Sequence, residues 1–193
     1  MTRQRLMKYL GWSNNPVNQK EVLEHKKKNI ILVGMMSSGK STLGKKLARS
    51  LGYRFVDLDK LIENDQQKDI PSIFSQKGES YFRDIESRML KEILPNRGIV
   101  LASGGGTPCF FDNMDYIKKL GISIFLDVPA GDLARRIENH GKDDRPILSG
   151  AKSLEDELKR KIEERREFYS QADLTISGTT EVTEILDALI PLL

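Results

Sequence analysis

Cysteine, histidine and long apolar runs are scarce in this sequence, and each scarcity argues against a class of protein. The 193 residues include one cysteine, Cys109, so no disulfide forms within the chain and a reducing compartment is expected. The two histidines, His25 and His140, have no cysteine or carboxylate at metal-ligand spacing, which argues against a structural zinc site. No apolar run is long enough to cross a bilayer, and no apolar signal segment is present. These absences predict a cytoplasmic protein without a membrane partner.

A strong excess of charge of one sign is missing as well. The chain has 31 lysines and arginines against 28 acidic residues, a net charge of +3, and the two signs are mostly intermixed. This balance argues against a nucleic-acid partner and suits small anionic substrates. Basic residues are concentrated only in residues 1–28, which we predict to be a loosely held extension before one domain of residues 29–193.

Short apolar runs alternate with helical patterns from residue 29 onward. Apolar runs that are buried on both faces and separated by helices predict an α/β fold with a parallel sheet. The candidate strands are Ile30–Val33, Arg54–Asp57, Ile99–Ala102, Ser123–Leu126 and Leu174–Ile176. One later helix begins after Ser153, which has a capping side chain. The last helix has an apolar face formed by Val182, Ile185, Leu186, Leu189 and Ile190.

The clearest motif lies between the first strand and the first helix. The stretch GMMSSGKS, from Gly34 to Ser41, fits the phosphate-binding pattern G-x-x-x-x-G-K-[ST]. Glycine lets the backbone approach phosphate closely, and the helix N-terminus adds partial positive charge. Lys40 can reach the outer phosphates, and the Ser41 hydroxyl can bind Mg²⁺. The motif predicts that the chain binds a nucleoside triphosphate.

Two carboxylates follow the second strand, in the stretch Phe55-Val56-Asp57-Leu58-Asp59. Alternation along a strand would place Asp57 and Asp59 on the same side, at the sheet edge where ligands of parallel sheets bind. One carboxylate can hold the water shell of a metal ion. The other can accept hydrogen bonds from an acceptor hydroxyl and help to remove its proton. A structural alternative is that Asp59 caps the next helix, residues 60–65, and both roles are compatible.

Further polar features surround these motifs. Gly104, Gly105 and Gly106 follow the third strand and would allow backbone N–H groups to contact a ligand. Arg83 and Glu86 are three residues apart on a predicted helix and can form an ion pair, although on spacing alone a surface pair explains them as well. Cys109 has no evident basic partner, which favours a small buried side chain over a nucleophile.

The stretch of residues 139–152 is polar, has glycine near both ends and lacks sustained periodicity. Beside a phosphate site, such a segment is typical of a mobile lid that excludes water when it closes. An ordinary surface loop is the alternative.

The order and spacing of GMMSSGKST, FVDLD, FRDIE, SGGGTP, RPIL and RREFY resemble the shikimate kinase family. The resemblance covers residues 29–193. It implies a three-layer α/β/α P-loop kinase fold with a five-stranded parallel sheet in the order 2-3-1-4-5 and a mobile lid. It also implies transfer of the γ-phosphoryl group of ATP to the 3-hydroxyl of shikimate, with Mg²⁺, in chorismate and aromatic amino-acid biosynthesis. Such kinases are commonly monomers.

The resemblance assigns roles on the nucleotide side of the site. ATP would be bound by the loop residues Gly34, Ser37, Ser38, Gly39, Lys40, Ser41 and Thr42. Ser41 and Asp57 would hold Mg²⁺. Arg136 would pack against adenine, with Arg135 as the alternative. Arg145, in the lid, would contact the transferring phosphoryl group, and the catalytic residues would be Lys40, Asp59 and Arg145.

The same resemblance assigns the acceptor side. Asp59 would orient or deprotonate the attacking hydroxyl of shikimate. Arg83 and Arg165 would bind the carboxylate, because a planar guanidinium matches a carboxylate with two hydrogen bonds. Glu86 would steady Arg83. Backbone N–H groups of the triple-glycine turn, Gly104, Gly105 and Gly106, would complete the substrate site.

Two other functions stay open at this point. The first is another small-molecule P-loop kinase that acts on gluconate or on a nucleotide. A nucleotide acceptor is disfavoured because Ser41 and Thr42, rather than Gly-Thr, follow Lys40. The second is a non-catalytic relative that binds a nucleotide, which the complete set of chemical residues argues against.

Overall fold

A computed structural model of the chain describes residues 27–139, 153–178 and 181–193. Five parallel strands form one sheet in the order β2-β3-β1-β4-β5, which confirms the predicted order. The strands are β1 (Asn29–Val33), β2 (Arg54–Asp57), β3 (Ile99–Ala102), β4 (Gly121–Asp127) and β5 (Leu174–Ser177). The carboxyl ends of β1, β2 and β3 therefore lie side by side, so the loops that follow them share one edge of the sheet.

Helices connect the strands and cover both faces of the sheet. The α-helices of the described residues are α1 (Lys40–Leu51), α2 (Leu58–Gln66), α3 (Ile70–Lys91), α4 (Asn113–Leu120), α5 (Ala130–Asn139), α6 (Leu154–Tyr169) and α7 (Val182–Leu189). Short 3₁₀ turns lie at Thr107–Cys109 and Ile190–Leu192. Helix α3 is interrupted at Gly78, whose backbone has φ 81° and ψ 171°, so Glu79 begins a second helical segment.

Strand β1 shows why the sheet is buried on both faces. All five of its residues are buried. Ile31 and Val33 belong to the core layer on one face of the sheet, whereas Ile30 and Leu32 belong to the layer on the other face. Burial on both faces explains why the strand is a continuous apolar run, and it makes β1 a rigid support for the loop that follows.

Most element boundaries agree with the sequence predictions, and two details differ. Ser153 caps α6 as predicted, accepting a hydrogen bond from the backbone N–H of Asp156 at 3.4 Å. Ile190 was expected on the buried face of the last helix, but this is wrong. That helix ends at Leu189, before Pro191, and Ile190 is 66% exposed. Strands β1, β4 and β5 are one to three residues longer than predicted.

Two predicted segments fall largely or wholly outside the described residues. They are most of the N-terminal extension, residues 1–26, and most of the predicted lid, residues 140–152, which includes Arg145. Within residues 27–139, 153–178 and 181–193, no helix has the length and apolar character needed to cross a membrane.

Candidate active site

The loop between β1 and α1 has the backbone that the phosphate-binding motif predicts. Gly34 has φ 137°, and a Cβ atom there would lie 2.8 Å from the carbonyl oxygen of Leu126 in β4. No other residue fits at this position without moving β4. Gly39, at φ 98°, is the N-cap of α1, so the first N–H groups of the helix are directed into the loop.

Lys40 occupies the centre of this loop. Its Nζ atom donates hydrogen bonds to the carbonyl oxygens of Gly34 at 2.8 Å and Met35 at 2.7 Å, and a longer one to Ser38 Oγ at 3.4 Å. The residue is only 8% exposed. A buried ammonium beside the N-terminus of a helix attracts phosphate oxygens, because water screens its charge only weakly.

Ser41 and Asp57 lie next to each other beside the loop. The Ser41 hydroxyl donates a hydrogen bond to Asp57 Oδ2 at 2.7 Å, and Asp57 Oδ1 accepts one from the backbone N–H of Lys60 at 3.3 Å. Asp57 is therefore the N-cap of α2. The suggestion that Asp59 caps this helix is wrong, because α2 begins at Leu58, two residues earlier than predicted, and Asp59 lies inside its first turn.

Asp59 lies in the first turn of α2 and lines the same cleft as Asp57. The argument from strand alternation is therefore wrong, although both carboxylates still reach the cleft. Burial raises the pKa of Asp59 from 3.8 to about 6, with further increases from the negative charges of Glu86 and Asp57. The Lys40 ammonium acts in the opposite direction. A carboxylate with a pKa near neutrality is suited to accept a proton.

Arg83 and Glu86 form a buried ion pair, not a surface pair. Arg83 Nη1 lies 2.8 Å from Glu86 Oε2, and the two side chains are 5% and 1% exposed. The other oxygen of Glu86 accepts a hydrogen bond from the Thr107 hydroxyl at 2.6 Å. The guanidinium also stacks on the ring of Phe110, 4.1 Å from its centroid. Arg83 is thus held in one orientation by the ion pair and the stacked ring, and Thr107 in turn fixes Glu86.

The triple-glycine turn passes directly over this guanidinium. A Cβ atom on Gly106 would lie 2.7 Å from Arg83 Nη1, so any other residue there would displace the guanidinium from its ion pair. Gly104 and Gly105 line the same cleft. The Tyr169 hydroxyl in α6 donates a hydrogen bond to the carbonyl oxygen of Gly105. This contact fixes the turn relative to the helix that carries Arg165.

Arg165 lies one helical turn before Tyr169 and reaches the loop. Its Nη1 atom is 3.6 Å from the sulfur of Met35, and the Tyr169 hydroxyl is 3.5 Å from the same sulfur. Sequence reasoning missed Tyr169, Thr107 and Met35. Two features of the sequence could have indicated them. Tyr169 follows Arg165 by four residues and so lies on the same helix face, and Met35 is an apolar residue in a polar loop.

Arg136 and Arg135 are neighbours in α5 but have different surroundings. Arg136 Nη1 donates a hydrogen bond to the carbonyl oxygen of Ser37 at 3.2 Å. The side chain of Arg135 is 75% exposed and pairs with Asp132. Arg136 is therefore the arginine of this pair that faces the phosphate-binding loop.

One cleft of about 1080 Å³ is lined by residues from all of these elements: Lys40, Ser41, Asp57, Asp59, Arg83, Glu86, Gly104, Gly105, Gly106, Arg136 and Arg165. The remaining predicted loop residues, Ser37, Ser38, Gly39 and Thr42, line it as well. Cys109 lies outside the cleft lining, and burial raises its pKa to about 11, which agrees with the prediction that it is not a nucleophile. The phosphate-binding loop and the two arginines, Arg83 and Arg165, thus line the same cleft. Asp59 lines this cleft as well.

The fold and the cleft define a P-loop kinase: a parallel α/β sheet with a lysine-centred phosphate loop and a carboxylate that faces it. A sequence model for shikimate kinase matches residues 36–192. The chain belongs to the shikimate kinase family and is an ATP-dependent kinase.

Individual relatives agree with this assignment. The chain is 46% identical over 150 residues to shikimate kinase of Persephonella marina, spanning 78% of this chain and 88% of the relative. It is 39% identical over 159 residues to that of Parabacteroides distasonis, spanning 81% and 91%. Among solved structures, shikimate kinase from Acinetobacter baumannii in complex with shikimate has a TM-score of 0.80 at 32% identity and covers 89% of this chain and 97% of its own. The enzyme from Bacteroides thetaiotaomicron has a TM-score of 0.77 at 36% identity, with coverage of 84% and 98%.

Proposed function

We propose that the protein transfers the γ-phosphoryl group of ATP to the 3-hydroxyl of shikimate, giving shikimate 3-phosphate and ADP for chorismate and aromatic amino-acid biosynthesis. One observation carries the proposal. The cleft places Asp59, with its raised pKa, together with Lys40 of the phosphate loop and with Arg83 and Arg165. An acceptor that is both a carboxylic acid and an alcohol matches these groups.

On the donor side, Lys40 and the N–H groups of the loop would hold the β- and γ-phosphates. Arg136 lies against this loop and would pack on adenine. Arg145 would neutralise charge on the transferring phosphoryl group, a role that rests on the family resemblance because Arg145 lies outside the described residues. These groups stabilise the charge that moves during transfer, which is the main task of a phosphoryl-transfer site.

The donor set beside the loop fits Mg²⁺. Ser41 Oγ and Asp57 Oδ2 lie 2.7 Å apart, and hydroxyl and carboxylate oxygens are the ligands that this ion prefers. Ser41 would bind the ion directly, and Asp57 would hold its water shell. When bound, Mg²⁺ supplies positive charge that offsets the phosphate oxygens.

On the acceptor side, Arg83 and Arg165 would bind the shikimate carboxylate, while N–H groups of Gly105 and Gly106 would contact the ring substituents. The ring would then lie over Asp59. The carboxylate of Asp59 would then accept a hydrogen bond from the attacking hydroxyl, orient it towards the γ-phosphate, and take its proton as the new P–O bond forms.

A panel of acceptors tests the proposal. ADP release is measured in a coupled assay with shikimate, gluconate and nucleoside monophosphates, and with ATP alone as the blank. Rapid turnover with shikimate only is the expected result. Strong turnover confined to gluconate or to the nucleotides would overturn the assignment of the acceptor.

Arg83→Lys is expected to raise the KM for shikimate by about tenfold with little change in the KM for ATP. Lysine keeps the positive charge but loses the planar group that stacks on Phe110 and pairs with Glu86. Steady-state kinetics at saturating ATP, with a melting curve to verify folding, provide the measurement. An unchanged KM for shikimate would place the carboxylate elsewhere.

The remaining predictions rest on composition and family resemblance. They are the monomeric state, the cytoplasmic location, the absence of nucleic-acid and membrane partners, and the division into an extension of residues 1–28 and a kinase domain of residues 29–193. Each stays a prediction, and the oligomeric state is the easiest to measure, by light scattering of the full chain.

A further inference from the structure

Arg83 is paired with a second carboxylate, which the family motifs did not single out. Glu79, one turn earlier in α3, accepts hydrogen bonds through Oε1 from Arg83 Nε at 3.2 Å and from Nη2 at 2.9 Å. Glu86 pairs with Nη1 at 2.8 Å. Two carboxylates therefore surround one guanidinium, and together they carry more charge than it does.

The two carboxylates differ in how fixed they are. The Glu86 side chain is 1% exposed, so removing its charge would leave Arg83 buried without its closest partner. The Glu79 side chain is 54% exposed and begins the helical segment after Gly78. Glu79 is therefore the partner whose charge can be changed at little cost to the fold.

Arg165, the other arginine of this end of the cleft, has a different environment. Its Nη1 atom contacts the sulfur of Met35 at 3.6 Å, and in the described part of the chain it forms no ion pair with a carboxylate. Two arginines and two carboxylates thus balance each other around the position proposed for the substrate carboxylate. Without Glu79, Glu86 alone would offset the charges of these two arginines, so the arginine pair would have one more uncompensated positive charge than in the wild type.

We propose that Glu79 sets the anion selectivity of the acceptor site: by offsetting the charge of Arg83, it favours a singly charged carboxylate over doubly charged anions. This inference rests on the proposed function, because it takes Arg83 as the group that binds the acceptor carboxylate. It gives Glu79 a positioning and charge-setting role, not a catalytic one. The role is useful in a cleft that also binds a polyphosphate, since an additional uncompensated positive charge beside the two arginines would attract phosphate groups to the acceptor end.

Coulomb's law gives the expected size of the change in anion binding when the charge of Glu79 is removed. The interaction of an anion with Glu79 is proportional to the charge of that anion, so a dianion is repelled twice as strongly as a monoanion. Neutralising an exposed carboxylate should tighten binding of a monoanion by about threefold. The corresponding change for a dianion is the square of that factor, about tenfold.

The test compares Glu79→Gln with a matched control, Glu164→Gln. Glutamine keeps an oxygen that can accept hydrogen bonds from Arg83 while removing the charge. Glu164 is also 54% exposed, and it pairs with Arg160, which has a second carboxylate partner in Glu157. That cluster likewise pairs one guanidinium with two carboxylates, but Arg160 is exposed and the cluster does not line the cleft.

Two quantities are measured at saturating ATP: the KM for shikimate and the competitive inhibition constant of sulfate, a dianion at neutral pH. In Glu79→Gln, the KM should fall about threefold and the sulfate constant about tenfold, whereas the KM for ATP and the behaviour of Glu164→Gln stay at wild-type values. A KM that rises, or a sulfate constant that is unchanged, would mean that Glu79 only orients Arg83. Glu79→Ala separates the two effects, because it removes the acceptor oxygen together with the charge.

A second measurement needs no turnover. Sulfate is titrated calorimetrically into each protein loaded with the imido analogue of ATP, which fills the phosphate loop. Tighter sulfate binding to Glu79→Gln than to wild type and Glu164→Gln supports the proposal even if another acceptor replaces shikimate. Equal sulfate binding in all three proteins overturns it. Failure of wild type to phosphorylate shikimate overturns the proposed function instead, so the two failures are distinguishable.

Discussion

Asp59→Asn is expected to lower kcat by about 10³-fold while ATP binding stays close to that of the wild type. Asparagine has nearly the same shape but cannot take the proton of the attacking hydroxyl. The Lys40 loop and the Ser41–Asp57 pair are untouched by the change. Steady-state kinetics with shikimate and calorimetric titration of the imido analogue of ATP separate the two effects.

The raised pKa of Asp59 adds a pH signature to this variant. Because the pKa is about 6 in the free protein, wild-type kcat/KM for shikimate should fall as pH drops below about 6, where the carboxylate becomes protonated. In Asp59→Asn this acidic limb should disappear from the residual activity. Asp115→Asn, which removes an exposed carboxylate from the first turn of α4, is the control and should keep the wild-type profile.

The raised pKa of Asp59 also predicts that Asp59→Asn is more stable than the wild type, although it is less active. A folded-state pKa above the ordinary value means that ionised Asp59 destabilises the fold at pH 8, where it has lost its proton. Asp59→Asn should therefore increase the free energy of unfolding by about 1–2 kcal/mol at pH 8, a discounted figure because the side chain is partly exposed. The gain should fade between pH 6 and pH 4, as wild-type Asp59 becomes protonated. A variant that keeps its kcat would remove Asp59 from the proposed role, and one that is less stable at pH 8 would contradict the raised pKa.

The sequence predicted the phosphate loop well because the loop is a local structure. The left-handed backbone at Gly34 and Gly39 depends on residues within a few positions of each other, and so does the direction of Lys40. The sheet order was predicted by family resemblance, since periodicity alone cannot say which strands are neighbours. Local pattern failed at Asp59, where strand alternation was continued two residues beyond the end of β2 at Asp57 and the capping of α2 by Asp57 was not foreseen.

Sequence patterns could not predict the contacts between residues that are far apart in the chain. Tyr169 bonds to Gly105, 64 residues away, and Arg165 reaches Met35, 130 residues away. No composition or spacing links these pairs, because the sheet brings them together. The burial of the Arg83–Glu86 pair has the same origin: the three-residue spacing allows an ion pair, but only the glycine turn and Phe110 packed over it make the pair buried.

Lys40→Met is expected to lower kcat/KM by at least about 10²-fold, with the loss in both ATP binding and kcat. Methionine fills most of the lysine volume but carries no charge and donates no hydrogen bond. The carbonyl oxygens of Gly34 and Met35 lose their donor, and the β- and γ-phosphates lose the ammonium at the centre of the loop. Initial rates measured over a matrix of ATP and shikimate concentrations give both parameters.

Lys45, on the same helix as Lys40, provides a matched control. Lys45 is exposed, stacks on Phe55 and does not line the cleft, so Lys45→Met removes the same charge from α1 without touching the loop. It should keep wild-type kinetics. If Lys40→Met retained full turnover while folding normally, this loop would not be the catalytic phosphate site. Only Lys40 has its ammonium where phosphoryl transfer occurs, so only Lys40→Met should lose activity. If both variants lost activity equally, the cause would be the net charge of the helix and not the ammonium inside the loop.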